Sequence, residues 1–189
     1  MRIAVINGSS RENGNTENLT NKVITDIEFT NFVLRDYSIQ TIVDQRHTET
    51  GFQPVNDDYD QLIEAILNHD IIIFSTPIYW YGMSSLMKTF VDRFSQSLRN
   101  TKYNFKELMQ QKTFYVITCG GDKARIKGMP LIQQFSYICQ FFGAELNDYI
   151  IGEANAPGDI ERDEYALMKA KQWNQFFKRN INQNQINRN

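Results

Sequence analysis

Cysteine, histidine and proline are all scarce in this chain of 189 residues, which holds two Cys, two His and four Pro. Cys119 and Cys139 form no CxxC pair. That removes cysteine-rich zinc and iron–sulfur sites and fits a reducing, cytoplasmic compartment. With only His47 and His69, a histidine-centred triad or a His-rich metal site is poorly supplied, and no metal is expected. No apolar run approaches the roughly 18 residues that a membrane span needs. The opening segment, Met1 to Ile6, is too short for a signal peptide and reads as a strand. Neither sign of charge dominates, with 20 Lys+Arg against 22 Asp+Glu and a net charge of -2. A dedicated nucleic-acid binder should carry a basic footprint, and a strongly acidic electron carrier an excess of carboxylates. Both readings lose ground. What is present is a 41% hydrophobic content, enough for one folded core without disulfides or metals.

Short apolar runs alternate with helical patterns. Arg2 to Ile6, Phe32 to Leu34, Asp70 to Ser75, Thr113 to Thr118 and a run ending at Tyr149–Ile151 read as five strands. The continuous runs mark strands buried on both faces. Helices are expected from Thr16, from Asp58 to Asn68, from Ser84 to Leu98, from Pro130 to a stop at Gly143, and from Asp163 to about Phe177. Asp58 and Gln61 resemble a capping box, and Pro130 suits a first helical turn. Ser38 to Asp57 is a long polar connection of the kind that often serves function. Alternation of five strands and five helices predicts an α/β, doubly wound parallel sheet with helices on both faces. Residues 1–179 read as one domain, and the Asn-rich stretch 180–189 as a frayed polar tail.

Ligands of such sheets bind beyond the carboxyl ends of the strands. Three loops therefore matter. The first, Asn7 to Thr16, joins a strand to a helix N-terminus, where free N–H groups and a partial positive charge attract phosphate. Gly8 and Gly14 permit tight curvature there, and Ser9, Ser10, Asn15 and Thr16 add short donors. The loop has neither the Walker A lysine nor the GxGxxG pattern, so an ATPase and a dinucleotide fold are disfavoured. The alternative is an ordinary turn with an N-cap at Asn15 or Thr16.

The second loop, Thr76 to Ser85, carries three consecutive aromatics, Tyr79, Trp80 and Tyr81. A flat aromatic ligand would account for them through stacking; a self-packed loop or a subunit contact would account for them too. The third, Thr118-Cys119-Gly120-Gly121-Asp122, has two glycines that let backbone approach a ligand. Cys119 reads as a small buried thiol and Cys139 as core. Lys88 and Asp92 have the spacing of a solvated helix pair.

These loops carry a resemblance. GSSRENGNT (8–16), TPIYWYGMSSLMKTFVDR (76–93) and TCGGD (118–122) resemble motifs of the NAD(P)H-dependent FMN reductase family of flavodoxin-like proteins. The order and spacing of the motifs match from Met1 to about Phe177. The resemblance implies a flavodoxin-like strand order 2-1-3-4-5 and a noncovalently bound FMN. By carry-over, Ser9, Arg11, Asn15 and Thr16, with Ser10 beside them, would hold its phosphate. Pro77, Ile78, Tyr79, Trp80, Tyr81 and Gly82 would lie against the ribityl chain and ring, and Thr118, Cys119, Gly120 and Gly121 would border the ring's other edge. No residue need act as an acid or base, because the flavin carries the chemistry. The implied activity takes electrons from NADPH or NADH to a small acceptor: a quinone, a nitro or azo compound, a flavin or a ferric chelate. The implied assembly is a homodimer or homotetramer. The alternative is a flavodoxin-like electron-transfer protein that binds a redox partner.

Overall fold

A computed structural model describes residues 1–186. Five parallel strands form one sheet in the order β2-β1-β3-β4-β5: β1 (Ile3–Asn7), β2 (Thr30–Val33), β3 (Ile71–Pro77), β4 (Thr113–Gly120) and β5 (Leu146–Glu153). The helices are α1 (Asn15–Ile24), α2 (Tyr59–Leu67), α3 (Ser85–Asp92), α4 (Phe94–Ser97), α5 (Phe105–Gln110), α6 (Ala124–Lys127), α7 (Met129–Phe142) and α8 (Glu164–Ile186). This is the doubly wound, flavodoxin-like architecture that the alternation and motifs predicted.

The two-residue period of a strand sorts the apolar runs into two layers. Ala4 and Ile6, Ile72 and Phe74, and Phe114 and Val116 face α2, α3 and α7. Ile3 and Val5, Ile71 and Ile73, and Tyr115 and Ile117 face α1 and α8. Continuous hydrophobicity is thus required, because every position of a central strand meets a helix layer. Phe74 lies between Phe114 and Phe135, with ring centroids 6.1 and 4.8 Å away.

Several local expectations are corrected. Asp58 does not cap α2 with its side chain; Oδ2 accepts from Ser38 N at 2.7 Å. The neighbour Asp57 instead accepts from Tyr59 N at 3.1 Å. The single helix expected from Ser84 to Leu98 is two, joined at Arg93. The guanidinium of Arg93 turns inward to Asp57 Oδ2 at 2.5 Å, donates to Gln40 O at 3.0 Å and lies 4.5 Å above the Tyr59 ring. Both partners of this ion pair are buried, with side chains 1% exposed. Burial alone would raise the Asp57 carboxyl; the bonds from Arg93, Gln40 N–H and Tyr59 N–H outweigh it and hold the group below the usual carboxylate range. The polar connection 38–57 is therefore tied to the core at its ends. Neither α5 nor α6 was expected, and α8 runs on to Ile186 instead of stopping near Phe177. Ile181 packs one turn further on the same layer, and Lys178 reaches Asp26 at 3.2 Å. The expected tail thus begins inside a helix, and residues 187–189 lie outside the described residues.

Other expectations hold. The helix expected from Ser84 begins there, with Ser84 as its cap accepting from Met87 N. Gly143 ends α7 in the left-handed conformation at φ 79°. Lys88 and Asp92 pair at 2.5 Å. Beyond these expectations, His69 bonds carbonyls of the last turn of α2, Ala65 O and Ile66 O.

Candidate functional site

Parallel registry gathers the carboxyl ends of β1, β3, β4 and β5. Asn7 pairs with Ser75, Pro77 with Cys119, and Gly120 with Glu153. A cleft of about 240 Å³ opens there, lined by residues of four loops.

The loop after β1 is fixed by its own polar groups. Gly8 N donates to Ser75 O at 2.8 Å, and Ser84 Oγ donates to Gly8 O at 2.7 Å. Ser9 N donates to Asn7 Oδ1 at 2.9 Å, and Asn13 N to Glu17 Oε2 at 2.6 Å. A Cβ on Gly8 would lie 3.0 Å from both Met87 Cβ and Ser84 Oγ, so glycine is needed there for space. Gly14 is extended, at φ -71° and ψ 163°. The tight curvature belongs to Asn13, at φ 54°. Gly14, not Asn15 or Thr16, is the N-cap of α1. Asn15 and Thr16 open α1, whose first-turn N–H groups have no intrahelical partner, and both line the cleft together with Ser9 and Arg11. Ser9 and Thr16 are buried yet line the opening.

Asn15 lines the cleft and also bonds a distant loop. Its Nδ2 donates to Ala156 O at 2.9 Å, and its Oδ1 accepts from Gly158 N at 3.0 Å and Ile160 N at 3.4 Å. It clamps the loop after β5 against the phosphate-type loop. That fourth loop supplies Ala154 and Asn155 to the cleft, two residues absent from the sequence-derived set. Their one signal in the sequence is their place beyond the carboxyl end of the fifth strand.

The loop after β3 makes a two-residue hairpin turn. Tyr79 N bonds Gly82 O and Gly82 N bonds Tyr79 O, both at 3.0 Å. The central residues Trp80 and Tyr81 have φ of 48° and 64°. Turns of this sort favour Asn-Gly, and each L-residue held there costs about 1–2 kcal/mol. Trp80 is 95% exposed. Pro77, Ile78 and Tyr79 line the first cleft; Trp80 and Tyr81 instead line a second cleft of about 240 Å³. The two clefts share Ile78, Gly120, Gly121 and Asn155.

The loop after β4 completes the walls. Ile78 N donates to Cys119 O at 2.9 Å, and Ala154 N to Gly120 O at 2.8 Å. A Cβ on Gly121 would sit 2.7 Å from Asn155 Oδ1, so only glycine lets that side chain lie against the loop. Cys119 is buried, and burial pushes its thiol up to about 12, so it carries no thiolate at neutral pH. Thr118 lies within the strand, its Oγ1 donating to Thr76 O at 2.6 Å. Ser10, Gly82 and Thr118 do not line the first cleft; Ser10 Oγ meets Tyr79 Oη at 3.2 Å. Among the described residues, Arg11 is the one charged side chain that does line it, and no cluster of three His, Cys, Asp or Glu is placed to hold a metal. No helix of the described residues is long and apolar enough to cross a membrane.

The chain matches the NADPH-dependent FMN reductase family over residues 1–143. It is 51% identical over 171 residues to the Bacillus subtilis protein YwqN, described as an NAD(P)H-dependent FMN-containing oxidoreductase, covering 90% of this chain and 94% of that protein. An FMN-dependent NADH:quinone oxidoreductase of Pelagibacter ubique is 26% identical over 175 residues, 82% of this chain and 91% of the relative. Among solved structures, the Trp repressor binding protein from Bacillus subtilis superposes with a TM-score of 0.76 at 46% identity, covering 90% of this chain and 99% of the other. The chain belongs to the NADPH-dependent FMN reductase family and is an NAD(P)H-dependent FMN oxidoreductase.

Proposed function

We propose that the first cleft holds FMN and that the second receives, in turn, NADPH or NADH and a small planar acceptor, with a quinone as the leading acceptor. The observation that carries this reading is that the two clefts adjoin, with Ile78, Gly120, Gly121 and Asn155 lining both. The quinone is favoured because the Pelagibacter relative is named for that acceptor and because the second cleft is bordered by the aromatic pair Trp80 and Tyr81.

The residues present fit the cofactor. The first cleft is lined by the first turn of α1, by Ser9 and Thr16 and by the Arg11 cation, a donor set for a phosphate. It is also lined by Pro77, Ile78 and Ala154, apolar contact for a ring. Bound FMN supplies hydride and electron transfer. The protein positions and shields. Tyr79 and Ser10 close the phosphate end from outside, and Gly82 completes the turn that carries Trp80. Cys119 and Thr118 hold the strand end on which Gly120 and Gly121 stand, and Asn15 keeps the β5 loop against the cleft.

Because donor and acceptor would use one space, turnover is expected to give parallel-line, ping-pong kinetics. The test is anaerobic addition of NADPH or NADH to the FMN-loaded protein, followed by quinone, nitro, azo, flavin and ferric acceptors. Loss of the flavin absorption band and its return with a quinone support the reading. Reoxidation by a protein partner alone would support an electron carrier instead. The small net charge of -2 and the open second cleft favour the enzyme.

The reading includes a homodimer or homotetramer, supported by the α7 surface, where Met129, Tyr137 and Phe141 are exposed in one i,i+4 register. A monomeric mass by light scattering would reject it. Two free, buried thiols fit a cytoplasmic setting.

A further inference from the structure

The aromatic turn after β3 has a tether that the reaction itself does not explain. Trp80 and Tyr81 occupy left-handed conformations with no glycine to relieve them. The turn is closed by just the two reciprocal bonds between Tyr79 and Gly82. Such a turn should sample other shapes unless something outside it holds it. Asp122, in the loop after β4, does so. Tyr81 Oη donates to Asp122 Oδ2 at 2.9 Å, and Lys127 Nζ donates to the same oxygen at 2.6 Å. Lys127 also lies 5.8 Å from the centre of the Tyr81 ring. Lys123, at φ 47°, bends the chain directly after Asp122 into α6, which returns Lys127 to the carboxylate. All of Trp80, Tyr81, Asp122 and Lys127 line the second cleft.

We propose that Asp122 is a positioning residue: it latches the strained Trp80–Tyr81 turn beside the second cleft and so sets the affinity for the planar substrate that enters there. The role rests on the reading of that cleft as the donor and acceptor site. Asp122 touches neither the first cleft nor its phosphate-binding end, so FMN retention does not depend on it. The groups facing it are exposed, and each such bond is individually modest. Together they choose one conformer of a turn that has few bonds of its own.

The chain supplies its own reporter. It has two tryptophans; Trp80 is 95% exposed and Trp173 is 6% exposed. Acrylamide quenching and fluorescence anisotropy of the FMN-loaded protein therefore follow Trp80 against a shielded internal reference. Asp122→Ala and Tyr81→Phe are expected to lower the Trp80 anisotropy and to raise the KM for NADPH and for a benzoquinone about three- to tenfold. FMN affinity should stay within about twofold. Asp122→Glu, which keeps the carboxylate, should restore most of both. Unchanged anisotropy in Asp122→Ala would overturn the latch, and unchanged KM with lowered anisotropy would overturn the positioning role. A loss of FMN affinity as large as the rise in KM would also overturn it, pointing to general loosening of the site. If the native FMN-loaded protein oxidises no nicotinamide, the substrate reading falls and the positioning role with it, while the anisotropy still decides the latch.

Discussion

Replacing Asn15 by alanine separates two roles that one sequence motif can hide. If Asn15 served the phosphate alone, its loss would weaken FMN binding and leave the cofactor-free fold intact. The structure instead shows three bonds to a loop more than 140 residues away, to Ala156 O, Gly158 N and Ile160 N. A net of about 1 kcal/mol for each bond gives a loss of about 3 kcal/mol. Rehydration of the exposed Ala156 lowers that toward about 2 kcal/mol. For a chain of this size, each kcal/mol moves Tm by roughly 2–4 °C, so the cofactor-free variant should melt roughly 4–12 °C lower. FMN affinity should fall about tenfold, near 1.4 kcal/mol, because Ala154 and Asn155 no longer stand fixed in the cleft. Asn15→Asp gives the contrast. Its carboxylate still accepts from Gly158 and Ile160, and a negative charge in the first turn of α1 suits the helix dipole, but an oxygen now opposes Ala156 O where Asn15 donated. That charge also faces the phosphate end. Asn15→Asp should therefore melt between the native protein and Asn15→Ala without FMN, yet bind FMN worse than Asn15→Ala. Differential scanning fluorimetry without cofactor and fluorescence titration with FMN measure the two effects. A cofactor-free Asn15→Ala that melts within about 2 °C of native while losing FMN affinity would refute the clamp.

Arg93→Met should destabilise by about 3–5 kcal/mol in urea unfolding, because it strands the buried Asp57 carboxylate; adding Asp57→Leu should recover much of that loss. The same pair fixes the direction of an acid response. The folded Asp57 pKa lies below its unfolded value of about 3.9, so its stabilisation is complete above that pH and disappears as pH falls through the folded pKa. The urea midpoint of the native protein should drop in that acid window more steeply than that of the double variant. Gly8→Ala would drive a methyl against Met87 and Ser84, and FMN affinity should fall at least tenfold, about 1.4 kcal/mol, on titration. Cys119, with its thiol pushed up to about 12, should resist an aromatic disulfide reagent at pH 8 in the folded protein and react fully once the protein is unfolded in guanidinium.

What could be read in advance follows from how each feature is encoded. Strands β1, β3 and β4 were legible because burial on both faces demands an unbroken apolar run, and such runs are local. The α7 boundaries were legible for the same reason: Pro130 and Gly143 are conformational signals that need no tertiary partner. Arg93 and Asn15 behave differently. Each sits in a segment where its type is locally unremarkable, and its role is decided by a group far along the chain, Asp57 for one and the 156–160 loop for the other. The motif places Arg93 on a helix but is silent on the inward turn that ends α3. It places Asn15 beside a phosphate loop but is silent on the loop that consumes its amide. The aromatic turn lies between these cases. Three consecutive aromatics marked it as unusual, whereas its left-handed backbone and the Asp122 tether emerged only with the neighbouring loop in place. The legible part of this site is thus the part made by single segments. The part that fixes its geometry is made by pairs of loops brought together by strand order, and strand order is the point at which a local reading has to give way to a fold.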